Sequence, residues 1–249
     1  MRLKIAKGLF NCLWVVVSPC LLAQTENSPN TFKEQEYSTS QAIGRTQAVI
    51  EIPLTHTENW QQLSYRNIPA NRVRFTDGGL QVDTNRSASP LIYPIEPAYL
   101  QKITFHVDIR GSLNLNDQQQ GQSGADDFLF RLGVVYEGDH RLNWLQKQFA
   151  SEWIKTLHKL APADTGISHI HFFNVYSNQS LENNTRTHPV SDLMIETFAF
   201  AKPDNHQLSA DITPDATKRV LALWVSIDGD DTQSSFSVLL KKLSVEYRH

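Results

Sequence analysis

Asp127 and Arg131 stand four residues apart in the run Gly124-Ala125-Asp126-Asp127-Phe128-Leu129-Phe130-Arg131-Leu132-Gly133-Val134-Val135-Tyr136-Glu137-Gly138. Read as a strand, the run puts Phe128, Phe130, Leu132 and Val134 on one face and Asp127, Leu129, Arg131 and Val135 on the other. An unpaired charge on a half-buried face is costly, so Asp127 and Arg131 are expected to be either partners or a site. A planar guanidinium fork beside a carboxylate suits sugar hydroxyls or a carboxylated ligand. One strand earlier, Thr104, His106, Asp108 and Arg110 share a side. If the two strands are neighbours, as consecutive strands often are, His106, Asp108, Arg110, Asp127 and Arg131 line one ligand-binding surface. The competing reading is a solvated outer face laced with cross-strand ion pairs.

Two further constellations carry chemistry. Asp228, Asp230, Asp231 and Thr232 follow an apolar run, and carboxylates on alternate residues offer hard oxygens to Ca²⁺, with Asp126 as an added ligand from elsewhere. The twelve-residue calcium-loop spacing and its terminal Glu are missing, and Asp and Gly also favour a plain turn. His169 and His171 alternate on one strand face, where they suit zinc or acid–base work. His106 and His188 are further candidate ligands, but no spacing unites them with this pair. A serine-hydrolase elbow, a phosphate loop and a zinc-protease helix signature are absent, although β-sandwich glycosidases and lyases assemble their sites from distant strands.

The elements that must position these residues are mainly strands. Alternation and turn signals predict strands over Thr46–Leu54, Val73–Phe75, Leu80–Thr84, Ser89–Tyr93, Lys102–Gly111, Ser168–Tyr176, Asp192–Ala201, Arg219–Asp228 and Ser235–Tyr247. The strand bearing Trp224 is apolar on both faces and should be central. Asn114 to Gly124 reads as a polar loop. One amphipathic helix is expected over Leu142–Leu160, with Leu142, Leu145, Phe149, Trp153, Leu157 and Leu160 packed on a sheet and Lys147, Gln148, Ser151, Lys155 and Lys159 facing solvent.

Arg2, Lys4 and Lys7 precede an apolar stretch too short to span a membrane, which reads as a bacterial signal peptide cut near Ala23. Residues 24–40 read as a flexible N-terminal segment and 41–249 as one domain. Cys12 and Cys20 both fall in the signal, so the mature chain has no disulfide or thiolate chemistry. It would carry 20 Lys+Arg against 26 Asp+Glu. No basic stripe points to nucleic acid, and no second apolar run points to a transmembrane segment. The expected location is periplasmic or secreted.

Three stretches give the chain a family likeness: Ser87-Ala88-Ser89, Ala125-Asp126-Asp127-Phe128 with Arg131, and Val225-Ser226-Ile227-Asp228-Gly229-Asp230-Asp231-Thr232, together with the aromatic strand His171-Phe172-Phe173-Asn174-Val175-Tyr176. In their order and spacing, from Trp60 onward, the chain resembles a bacterial family of exported proteins, one of the numbered domains of unknown function. It departs from that pattern at Ile103-Thr104-Phe105-His106-Val107, where members often carry a tryptophan-rich strand. The resemblance implies a β-sandwich related to carbohydrate-binding jelly rolls of the galactose-binding-like kind, and transfers no activity. The expectation is therefore a mainly all-β sandwich or jelly roll with one helix packed on it. Its expected function is non-catalytic binding of a saccharide or other polar, cell-envelope ligand. The alternative is a metal-assisted hydrolase or lyase acting on an envelope polysaccharide.

Overall fold

The computed structural model describes residues 48–143, 148, 150, 152–189 and 191–248. The predicted signal peptide, the flexible segment and most of the first half of the predicted helix lie outside these residues. The described chain forms two β-sheets that face each other across a shared apolar core.

The strands are β1 (Val49–Glu51), β2 (Gln61–Gln62), β3 (Arg72–Thr76), β4 (Gly79–Asn85), β5 (Leu91–Ala98), β6 (Leu100–Arg110), β7 (Arg131–Gly138), β8 (Gly166–Tyr176), β9 (Thr185–His188), β10 (Ser191–Ala201), β11 (Gln207–Ile212), β12 (Val220–Ser226) and β13 (Ser235–Tyr247). One sheet has the order β11-β6-β13-β4-β3 with β1 on β13, and the other β2-β5-β12-β7-β8-β10-β9. The antiparallel pairs β4·β13, β5·β12, β6·β11 and β7·β8 nest inside one another. Nested pairing of this kind, with the chain crossing between sheets at successive turns, is the jelly-roll pattern. The expected β-sandwich with one packed helix is what the chain forms.

The jelly roll also corrects one expectation. β6 and β7 are consecutive in sequence but lie in opposite sheets, so His106, Asp108 and Arg110 share no surface with Asp127 and Arg131. Sequence adjacency predicts hairpin neighbours, but a strand in a jelly roll takes its partner from the far end of the chain. His106 and Arg110 are exposed on the outer face of their own sheet, and Asp108 pairs there with Lys241 at 2.6 Å.

Between the sheets lie Phe105, Val107, Leu132, Val134, Tyr136, Leu223, Val225, Val238, Leu240 and their neighbours. β12 is buried along its whole length, as a central strand must be. The opposite, outer face of the seven-stranded sheet is covered at one end by helix α1 (Glu152–Leu160), whose Trp153, Leu157 and Leu160 pack on Val135, Ile170, Ala222 and Trp224. Leu142, expected in this helix, lies in a loop before it.

The register sets three side-chain rows on that outer face. Ala222, Val135, Ile170 and Met194 form an apolar row under the helix. Next come Trp224, Gly133, Phe172, Glu196 and Arg186, and then Ser226, Arg131, Asn174 and Phe198. Gly133 is required in the middle row, because a Cβ there would lie 2.8 Å from the Phe172 ring and 3.0 Å from Trp224.

Candidate functional site

Arg131 opens β7, and its side chain is only 7% exposed. Its guanidinium lies over the Phe128 ring at 4.1 Å and the Phe172 ring at 4.7 Å. A buried cation needs anionic partners. Arg131 donates to Glu196 in a short ion pair, to Asn174 Oδ1 at 3.3 Å and to Asp228 at 3.5 Å. Glu196 and Asn174 are fully buried. Burial alone would depress the Arg131 pKa, but Glu196 and then Asp228 reverse that and raise it.

A second cation completes the network from β9. Arg186 donates to Glu196 Oε2 at 2.8 Å, to Asp126 at 3.2 Å and, closely, to the Gly121 carbonyl. Gly121 has φ +81°, and a Cβ there would sit 3.1 Å from Arg186, so glycine avoids both backbone strain and crowding of the guanidinium. His188 bonds Asp126 at 2.9 Å.

Asp127 faces away from Arg131. It is 1% exposed and accepts from the Thr232 backbone N–H at 2.6 Å, the Thr232 hydroxyl and the Asp231 N–H at 3.3 Å. In return the Asp126 N–H donates to Asp231 Oδ2 at 3.2 Å. The strand predicted from Gly124 therefore begins only at Arg131, because the residues from Ala125 follow this clasp and the ladder is reached at Phe130, whose carbonyl accepts from the Val175 N–H at 2.9 Å. Phe128 meets the 228 turn instead, its carbonyl accepting from the Asp228 N–H at 3.0 Å. The acidic pair and the acidic turn, separate in sequence, are thus one structure.

A cleft of about 350 Å³ opens above these residues, between α1 and the 228–231 turn. Tyr65, Ile68, Ala88, Trp153 and Met194 give it apolar walls, and Asp126, Arg131, His188, Asp228, Asp230 and Asp231 its polar lining. Tyr65 and Trp153 meet edge-on at 6.4 Å and 82°, Trp153 meets Trp224 at 5.8 Å, and Trp224 meets Phe172 at 5.6 Å. An edge-to-face aromatic chain thus runs from the cleft wall to the ring that supports Arg131. Burial pushes the Asp228 carboxyl up to about 7 despite Arg131, and burial with Asp127, Asp231 and Asp126 nearby pushes Asp230 to about 6.

No protein-family model and no curated protein matches this chain. Similar solved structures include a xylan-binding module, CBM15, at 9% identity and TM-score 0.37, covering 82% of this chain and 98% of that one. Another is the family 11 carbohydrate-binding module from Clostridium thermocellum in complex with a mixed-linked tetrasaccharide, at 9% identity and TM-score 0.40, with 79% and 94% covered. A third is the mannan-recognising module TmCBM27, at 10% identity and TM-score 0.32, with 81% and 99% covered.

Of the residues singled out in the sequence, Arg131, Asp126, Asp228, Asp230, Asp231 and His188 meet at the cleft, and Asp127 supports it from beneath. The calcium set is divided: Asp228 turns inward to Arg131 and to the Ser226 hydroxyl at 2.7 Å, whereas Asp231 is exposed. A different trio, Asp126, His188 and Glu196, brings ligand atoms within 4.8 Å of one another. Arg186 already bridges Asp126 and Glu196, so a metal there would have to displace a guanidinium. His169 and His171 lie elsewhere. His171 bonds Thr197 at 2.8 Å and stacks on Phe173 at 4.3 Å, and burial followed by His169 lowers it to about 4, making it a neutral packing group.

Sequence reasoning missed Tyr65, Asn174, Arg186 and Glu196. Glu196 carried a usable signal: a lone carboxylate inside the apolar run Leu193-Met194-Ile195 and Phe198 needs a cation.

Proposed function

We infer that the cleft is the binding site of a saccharide-recognising module, on a chain whose N-terminal sequence predicts export. The observation that carries this reading is the pairing of an aromatic wall, Tyr65 with Trp153, with a floor of carboxylates held in place by the Arg131–Glu196–Arg186 network. A sugar ring presents an apolar C–H face and a rim of hydroxyl donors, and the two surfaces of the cleft answer those two needs. The cleft volume of about 350 Å³ is at the small end of small-molecule sites, roughly 300–1,000 Å³. Arg131 gives one N–H each to Glu196, Asn174 and Asp228 and is buried, so little of its fork reaches a carboxylated ligand. Neutral sugars are favoured over acidic ones.

Calorimetric titration with a panel of neutral and uronic oligosaccharides tests the reading. Neutral binding that Trp153→Ala abolishes supports it, and a panel with no binder removes it. The second reading, a metal-assisted hydrolase or lyase, draws on the convergence of Asp126, His188 and Glu196. Purified protein that holds no metal and is indifferent to chelator removes that reading.

A further inference from the structure

If the cleft takes a saccharide, its imbalance between hydrogen-bond donors and acceptors bears on which one. Its polar lining consists of four carboxylates, Asp126, Asp228, Asp230 and Asp231, against Arg131 and His188. Both are engaged within the protein: Arg131 with buried Glu196, Asn174 and Asp228, and His188 with Asp126. Asp231 is tied to the Asp126 backbone. Asp230 differs from the others. It is half-buried and lines the cleft, yet among the described residues its carboxylate makes no hydrogen bond to another residue and no ion pair. Every other carboxylate of the lining has a donor on the protein.

Carboxylates alone would make only a solvated patch. Here the unpartnered one is half-buried in a cleft that the Tyr65 and Trp153 rings wall. Aromatic faces attract cations as well as sugar C–H groups. A neutral hydroxyl would give Asp230 a donor without relieving the repulsion from Asp126, Asp127 and Asp231. A primary ammonium does both, with three donors on one compact charge. The same repulsion is seen in the Asp230 carboxyl, which its acidic neighbours help to raise.

We propose that the cleft binds an amino sugar, with the ammonium of a glucosamine-type ring held by Asp230 and the ring set against Tyr65 and Trp153; this assignment rests on the saccharide reading of the site. An N-acetylated ring keeps the same C–H face but loses the charge and adds a bulky acyl group, so the site should discriminate between the two. The role of Arg131 here is to fix Asp228 and Glu196, not to touch the ligand.

The test is calorimetric titration of the purified chain and its Asp230→Asn variant at about pH 7, where an amino group is largely protonated. The probes are a glucosamine disaccharide, its N-acetylated counterpart, spermidine and Ca²⁺. The expected result is glucosamine binding at least about tenfold tighter than the N-acetylated sugar, with the preference lost in Asp230→Asn. Because the Asp230 side chain bonds no other residue and its ionised carboxyl is disfavoured in the folded chain, a melting temperature no lower than the native one is expected for this variant at pH 7 and confirms that the comparison is between folded proteins. Equal binding of both sugars, or a preference that survives Asp230→Asn, overturns the amino-sugar assignment and leaves the saccharide reading standing. Spermidine binding as tightly as the sugar overturns the saccharide component. Ca²⁺ binding that Asp230→Asn abolishes overturns the proposal in favour of a metal site. Failure of every saccharide, neutral ones included, removes the parent reading itself.

Discussion

Arg131 is the residue on which the outer face of the seven-stranded sheet depends. Its charge is sandwiched between two phenyl rings and neutralised mainly by Glu196, which has no solvent exposure of its own. Replacing Arg131 with alanine leaves Glu196 with Arg186 and the Asn174 amide, and removing one partner of a buried pair costs about 3–5 kcal/mol. Urea melts of Arg131→Ala are expected to show a loss of that size, and Glu196→Gln a loss in the same direction. Asp228 behaves differently, because Arg131 reaches it only at 3.5 Å and burial dominates. The groups around it are Arg131, Ser226, Asp127 and Asp230. Its folded pKa of about 7 lies above the unfolded value of about 3.9, so the native state binds the proton more tightly. The stability it contributes is therefore fully present below about pH 4 and is lost as pH rises through about 7. Asp230 acts in the same sense up to about 6. The double variant Asp228→Asn, Asp230→Asn should show a smaller drop in melting temperature between acidic and neutral pH than the native chain. An unchanged profile would remove both groups as the cause.

At the scale of elements, the insertion of β9 and β10 between β8 and β11 makes the site possible. It adds a parallel neighbour to β8, and with it Glu196, Arg186 and His188. This contribution was hidden in the sequence because β9 is short and polar, Thr185-Arg186-Thr187-His188, and its strand character comes from pairing with β10. The acidic turn was more legible. Asp126-Asp127 and the Asp228–Thr232 turn stand out together in the sequence, and the reciprocal bonds between Asp127, Thr232, Asp231 and Asp126 explain why. Asp127 and Arg131, expected to be either partners or a site, do not pair, because Phe128 bonds to the 228 turn and the ladder is reached only at Phe130, so the alternation of a strand does not extend to Asp127. Asp127→Ala leaves the buried Thr232 N–H without its acceptor and the Thr232 hydroxyl with Ser234 alone, a cost of about 1–3 kcal/mol. Since the turn carries Asp228 and Asp230, the same variant should weaken ligand binding as well as lower the melting temperature. A change in stability with binding untouched would separate the clasp from the site.

At the scale of the molecule, the jelly roll decides which polar groups can act together. Alternation, the doubly apolar β12 and the helical stripe ending at Leu160 were enough to read the architecture from sequence, because burial on a sheet enforces a period of two and on a helix 3.6. Strand order was not legible, since nested pairing joins β4 to β13 and β5 to β12 across most of the chain, with no local signal at either end. Of the five residues expected on one surface, His106, Asp108 and Arg110 therefore fall on the six-stranded sheet, Arg131 on the seven-stranded one and Asp127 on the segment before it. On the six-stranded sheet, Asp108 and Arg110 line a polar cleft of about 300 Å³ with Arg74, Gln81, Asp83, Ser237 and Leu239. Its ion pairs, Arg74 with Asp83 at 2.7 Å and Lys241 with Asp108 at 2.6 Å, are solvent-facing. Such pairs are worth about 0–1 kcal/mol, and no aromatic ring walls the cleft. Substituting His106, Asp108 and Arg110 together with alanine should shift stability by no more than about 1 kcal/mol and leave saccharide affinity unchanged, whereas Trp153→Ala alone abolishes it. Measured side by side in the same titration, the two variants place the ligand on one sheet or the other. Loss of binding in the triple variant with Trp153→Ala unaffected would move the site to the six-stranded face.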